Sequence, residues 1–155
     1  MLDDAQIAQY RKDGYVIPDF RFDASTVEDI ADLHARLLTR HPEFSDYCPA
    51  VLAYELGFLN YARNGDILDM VGQLLGDDFA LWNCSFFAKP AGIGKRVPWH
   101  QDGEYWPIRP LATCSVWLAI DPSTRENGCL EVIPGSHRRA ELLDHEHNAS
   151  SDLAL

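Results

Sequence analysis

The sequence predicts an α+β fold with a mainly β core: a double-sheet jelly roll of the cupin-like kind, with N-terminal helices packed on one sheet. Three observations predict it. The first half carries apolar residues at helical spacing, closed by glycine stop signals. The character changes at Phe79, after which runs rich in aromatic and β-branched residues are separated by Pro- and Gly-rich turns. Several such runs with long connections fit two sheets packed face to face.

Taken in order, Asp4 to Lys12 place Ile7 and Tyr10 at helical spacing, and Gly14 stops them before a short β-type run at Tyr15, Val16 and Ile17. Ser25 and Glu28 form a capping-box pattern ahead of Val27, Ile30, Leu33, Leu37 and Leu38, which predicts a helix over Ser25 to Arg40 with its apolar stripe in the core. From His41 to Asn64 the pattern loosens around Pro42, Pro49 and Gly57, as expected of a covering loop with a short helix. Asp66 to Leu75 is helical again, with Ile67, Leu68, Val71, Leu74 and Leu75 on one side and Gly76 as its stop. Phe79 to Ala88 reads as a buried strand. Pro90, Gly92 and Gly94 make a hairpin turn, and Val97 to Gln101, Ala112 to Ile120 and Cys129 to Ile133 read as further strands. The tail from Asn148 to Leu155 is small and polar until Leu153.

A chain of 155 residues is one domain's worth, so residues 1–155 are expected to share one core. With 46% hydrophobic and 24% charged residues, the composition is that of a globular protein rather than a disordered or fibrous one. The net charge of −11 argues against nonspecific nucleic-acid binding and against docking on an anionic membrane, both of which need a basic surface. The N-terminus MLDDAQIAQY has no basic region followed by an apolar run, and no stretch has the length of a membrane span, so a cytoplasmic protein is expected. Cys48, Cys84, Cys114 and Cys129 form no CxxC and sit among apolar neighbours, which favours buried free thiols over disulfides or zinc ligands.

The chemistry is concentrated between Pro98 and His137. If the backbone is extended at His100 and Asp102, the imidazole and the carboxylate project from the same face. A neutral imidazole nitrogen and a carboxylate oxygen suit a borderline divalent ion. With one more histidine they make the 2-His-1-carboxylate facial triad of non-haem Fe(II) oxygenases. The same two residues on a surface strand would form an ordinary hydrogen bond, so their neighbours decide.

Those neighbours are KPAG at Lys89 to Gly92, WHQD at Trp99 to Asp102, VWLAID at Val116 to Asp121 and ENGCLEVIPGSH at Glu126 to His137, preceded by IAQYRKDGYVIPDF at Ile7 to Phe20. In this order they resemble the phytanoyl-CoA dioxygenase family, and the resemblance covers nearly the whole chain. It implies the same double-stranded β-helix, with Fe(II), 2-oxoglutarate and O2 as cofactor and co-substrates. It also implies hydroxylation of a small-molecule substrate with release of succinate and carbon dioxide. His100 and Asp102 match the first two iron ligands. Because a carboxylate stands at Asp102, where halogenating relatives have a small residue, hydroxylation is the expected outcome.

By the same resemblance, Asn83 and Trp117 stand where the family places residues against 2-oxoglutarate. Taken as ordinary residues, Asn83 would need a polar partner in an apolar strand, and Trp117 would be core in almost any fold. Tyr105 and Trp106 would sit at the pocket mouth against substrate, or simply pack. Lys89 is either a cation near the site or an exposed strand-end lysine. In the Pro134 to His137 loop, the family's histidine is structural or substrate-facing rather than metal-bound.

Competing motifs are weaker. Gly92-Ile93-Gly94-Lys95 is too short for a phosphate-binding loop, and His145 and His147 are two apart rather than the four a zinc-protease helix needs, which leaves them as surface histidines. No Gly-x-Ser-x-Gly elbow supports a serine nucleophile. The family's distal histidine and the arginine for the far carboxylate of 2-oxoglutarate have no match after the PGSH loop, so the chain reads as the N-terminal and central part of a longer protein with later barrel strands missing. An open barrel edge would aggregate or pair with a second copy. Three function classes are therefore carried forward: an Fe(II)/2-oxoglutarate dioxygenase, a catalytically inactive cupin-like binding or scaffold domain, and a jelly-roll metal hydrolase.

Overall fold

Asp3 starts the first helix. In the computed structural model, which describes residues 1–139 and 141–146, its carboxylate accepts the Gln6 N–H at 2.8 Å while the Gln6 side chain accepts the Asp3 N–H, a reciprocal cap on α1 (Asp4–Asp13). Gly14 ends α1 in the left-handed region at φ 87°, its N–H donating to the Tyr10 carbonyl. His147 and the tail from Asn148 to Leu155 lie outside the described residues.

The second helix, α2, spans Ala24–Arg40, close to expectation, but its cap lies two residues earlier than the sequence pattern suggests. Asp23, not Ser25, accepts the Thr26 N–H at 2.7 Å, and the Ser25 hydroxyl donates to the same carboxylate at 2.7 Å. A carboxylate accepts both bonds and complements the positive end of the helix dipole, which a serine cannot do. Asp23→Ala is expected to lower stability, read as a lower urea midpoint at unchanged slope.

Leu37 and Ile30 carry the apolar stripe of α2 into a cluster completed by Cys48, Val51 and Phe58. These partners come from the covering segment 41–64, where short 3-10 turns at Pro42–Phe44, Val51–Ala53 and Leu56–Phe58 lead into α3 (Leu59–Ala62). Asn64 caps α4 (Gly65–Leu75), whose Ile67 and Met70 bury against Leu2 in a second cluster. The Gln73 amide clasps the Leu2 backbone from both sides, accepting its N–H at 2.7 Å and donating to its carbonyl at 2.9 Å. No helix among the described residues is long and apolar enough to cross a membrane.

The β-type half differs from expectation in its pairing. β1 (Tyr47–Cys48) and β2 (Phe86–Phe87) form an antiparallel pair with Tyr47 opposite Phe87 and Cys48 opposite Phe86. The pairing extends as single bonds from the Ala88 N–H to the Asp46 carbonyl and from the Val51 N–H to the Cys84 carbonyl. Tyr15 to Ile17, Val97 to Gln101, Ala112 to Ile120 and Cys129 to Ile133 form no ladder among the described residues. The backbone bonds at the starts of the last two runs are local, Ala112 N–H to Pro110 O and Cys129 N–H to Thr124 O. A strand needs a neighbouring backbone in register, and none among the described residues is presented to these runs. Phe79 to Ala88 is likewise not buried throughout: Leu81 and Trp82 are exposed, and burial begins where Cys84 and Phe86 pack on the core. Gly92 does form its expected turn, at φ 79°, with the Gly94 N–H donating to the Pro90 carbonyl at 2.7 Å.

The cysteines are free, with Cys48 buried and the other three half-buried, as expected. Burial pushes the Cys48, Cys84 and Cys114 thiols up, away from reactive thiolate character. Phe86 also stacks on the His34 ring at 3.9 Å, and burial there holds His34 below the ordinary histidine range.

Candidate functional site

His100 and Asp102 come together, although not on one strand. His100 lies in an irregular segment and Asp102 opens a short helix, α5 (Asp102–Tyr105), closed by the Glu104 N–H on the Gln101 carbonyl at 3.0 Å. Gln101 keeps extended dihedrals, φ −117° and ψ 122°, so the step from His100 to Asp102 preserves the same-face relation that an extended pair would have.

The His100 Nδ1 lies 2.8 Å from the Pro98 carbonyl, which can only accept, so Nδ1 carries a proton. Nε2 then faces the Asp102 Oδ1 at 3.2 Å. The second carboxylate oxygen, Oδ2, accepts from the Ser115 hydroxyl at 3.3 Å. The hydrogen bond that a protonated His100 Nε2 donates to Asp102 raises the His100 pKa, and the same bond lowers that of Asp102 against the opposing effect of burial. The two side chains are 24% and 48% exposed, so the pair is reachable from solvent.

This geometry fits a divalent cation at two adjacent positions. Two ligands each about 2.1 Å from an ion and at right angles to one another are about 3 Å apart, close to the separation of Nε2 and Oδ1. A protonated Nδ1 directs the free lone pair of Nε2 toward that ion, and Ser115 orients the carboxylate from behind. No third histidine, cysteine or carboxylate joins the pair among the described residues.

The other expected site residues are placed less closely. The Tyr105 ring meets the His100 ring edge to face with centroids 6.0 Å apart and is itself exposed, and Trp106 is half-buried beside it. Asn83 is exposed and gives its amide N–H to the Pro49 carbonyl at 2.7 Å, where it extends the pairing of the two short strands. Trp117 is 52% exposed rather than core. No hydrogen bond among the described residues links either to His100 or Asp102. Lys89 donates to the Gly128 carbonyl at 2.9 Å, which resolves it as a tie between two turns. His137 is structural: its Nε2 donates to the Arg11 carbonyl at 3.1 Å.

His145, expected to be a surface histidine, has a side chain only 18% exposed. Its Nε2 accepts the Gln101 backbone N–H at 3.0 Å and its Nδ1 donates to the Leu143 carbonyl at 2.7 Å. Gln101 and Ser115 were not singled out by sequence, and His145 was set aside as a surface histidine. Gln101 could have been, since it stands between the two candidate ligands, but nothing in the spacing of Ser115 or His145 points to residues 13 and 44 positions away.

The family model for phytanoyl-CoA dioxygenase matches residues 1–152. A probable phytanoyl-CoA dioxygenase of Caenorhabditis elegans is 37% identical over 56% of this chain and 30% of its own length. A methylphosphonate hydroxylase of Gimesia maris is 32% identical over 97% of the chain and 63% of its own length, and an ectoine dioxygenase of Sphingopyxis alaskensis is 27% identical over 86% and 49%. The chain spans less than two thirds of the length of each of these relatives. No solved structure matches it. With a family model covering nearly all of its residues, the chain belongs to the phytanoyl-CoA dioxygenase family.

Proposed function

We propose that the chain belongs to a non-haem Fe(II)/2-oxoglutarate dioxygenase that hydroxylates a small organic substrate, on a cupin-like jelly roll to which the unpaired β-type runs contribute strands. The observation that carries the reading is the 3.2 Å approach of His100 Nε2 to Asp102 Oδ1 in a member of this family. His100 and Asp102 would hold the iron, whose chemistry when bound is the oxidative decarboxylation of 2-oxoglutarate coupled to C–H hydroxylation. The chain's own part is to hold Nε2 unprotonated toward the ion through the Nδ1 bond to Pro98, and to orient the carboxylate through Ser115. Tyr105, exposed beside His100, offers an aromatic wall to substrate, and the exposed Trp117 indole is the surface proposed to pack against 2-oxoglutarate. Relatives named for phytanoyl-CoA, methylphosphonate and ectoine support a small organic substrate.

The test is an anaerobic titration with Fe(II) and then 2-oxoglutarate, followed by the visible charge-transfer band of a chelated keto acid. A band present in the wild-type chain and absent in His100→Ala is expected. A folded wild-type chain that binds neither Fe(II) nor 2-oxoglutarate would favour the cupin-like scaffold reading, and tight binding of zinc without 2-oxoglutarate would favour a hydrolase.

A further inference from the structure

Between the two ligands lies one residue, Gln101, and every polar group of that residue outside its carbonyl is held by the same distant segment. Its backbone N–H donates to the His145 Nε2 at 3.0 Å, its amide nitrogen donates to the Glu141 carbonyl at 3.1 Å, and its amide oxygen accepts the Leu143 N–H at 2.7 Å. The His145 ring is fixed in turn, because its Nδ1 donates to the Leu143 carbonyl at 2.7 Å. Leu142 closes over the next turn: a Cβ placed on Gly103 would lie 3.2 Å from the Leu142 Cδ2 and 3.1 Å from the Leu111 Cδ2, so glycine lets the segment seat. The Tyr105 ring meets both imidazoles edge to face, its centroid 6.0 Å from that of His100 and 6.3 Å from that of His145.

A loop amide would ordinarily bond to water and leave its residue free to rotate. Here the rotation that sets the direction of His100 relative to Asp102 is the rotation of Gln101, and three bonds with an apolar cover oppose it. Both nitrogens of His145 are engaged, one accepting and one donating, so in this arrangement the ring serves as an anchor and not as a ligand. We propose that Glu141–His145 is a strap that fixes the His100–Asp102 turn in its metal-binding geometry, with His145 as its positioning residue. The functional weight of this inference rests on the metal-site reading above, and the geometry of the strap does not.

The test uses the whole chain with Co(II) as the probe, amide hydrogen exchange at Gln101, and thermal unfolding. His145→Leu removes the acceptor and is expected to weaken Co(II) binding by about 10–100-fold, change the visible Co(II) spectrum, and speed Gln101 exchange at least tenfold, with unfolding little moved. His145→Gln, whose amide oxygen can accept the same N–H, is expected to recover most of the affinity. Gln101→Ala, which removes both side-chain bonds and leaves His145 in place, is expected to weaken binding in the same direction should the leucine variant fold poorly. Wild-type affinity and spectrum in His145→Leu, or a glutamine variant as weak as the leucine one, overturns the positioning role. A wild-type chain that binds no Co(II) refutes the metal reading alone, and Gln101 exchange then decides the strap: unchanged exchange in His145→Leu overturns it, faster exchange upholds it.

Discussion

Asp102→Ala is expected to weaken Co(II) or Fe(II) binding by at least about a hundredfold, more than the loss of an outer partner typically costs, because it removes one of the two side chains proposed to hold the metal. It also alters the proton that competes with the metal. In the metal-free pair the His100 pKa is raised, first by its hydrogen bond to Asp102, so a proton held at Nε2 must leave before an ion enters. The contribution of that raised histidine to folding is complete below its ordinary value near 6.5 and is lost as pH rises through the raised one. The lowered Asp102 contributes above the ordinary carboxylate value near 3.9 and loses its contribution as pH falls through the lowered one. The ion pair therefore favours the folded chain in mildly acidic solution, while metal binding strengthens toward neutral pH as the imidazole deprotonates. Without Asp102 the titration of His100 should shift toward lower pH. Calorimetry at several pH values checks both effects, and an alanine variant that binds within threefold of wild type would remove Asp102 from the ligand set.

Leu37→Ala is expected to cost about 2–5 kcal/mol, a large part of the roughly 5–15 kcal/mol by which domains are usually stable. Leu37 is 0% exposed and lies at the centre of the cluster of Ile30, Cys48, Val51 and Phe58. Its neighbours come from a helix, a two-residue strand and two 3-10 turns, so the void is bordered by elements that cannot all close on it together. The urea midpoint should fall with little change in slope. Leu68→Ala, on the exposed side of α4, is the control and should change it little.

The helices were legible because their signals are local. Apolar spacing on α2 and α4 and the glycine after α4 reach over a few residues, and the structure follows them to within a residue at either end. The cap of α2 was misplaced because Ser25 and Asp23 both carry capping chemistry, and only the backbone bend decides which side chain faces the free N–H groups. The strands were not legible in the same sense. A run such as Ala112 to Ile120 records suitability for a sheet, whereas pairing depends on a second backbone whose position no local pattern encodes. His100 and Asp102 could be found because their relation spans two positions. The Ser115 hydroxyl and the His145 ring reach the same turn only through the fold, so spacing carried no trace of them.

The contact of the Pro134 to His137 loop with α1 bears on how the protein is made. Gly135 N–H bonds to the Asp13 carbonyl at 2.7 Å and His137 to the Arg11 carbonyl across 126 positions, with the imidazole occupying the space where any side chain at residue 14 would stand. At ordinary translation speeds roughly 6–25 s separate the appearance of Arg11 from that of His137. Through that interval the last carbonyls of α1 have only water as partners, and the helix leaves the ribosome well before its anchor exists. The start of the first helix can dock on α4 through Leu2 and Ile7 once Gln73 is made, but its C-terminal end is among the last parts secured, and a nascent chain stalled before residue 135 would leave that end without its anchor, open to proteolysis or to a chaperone.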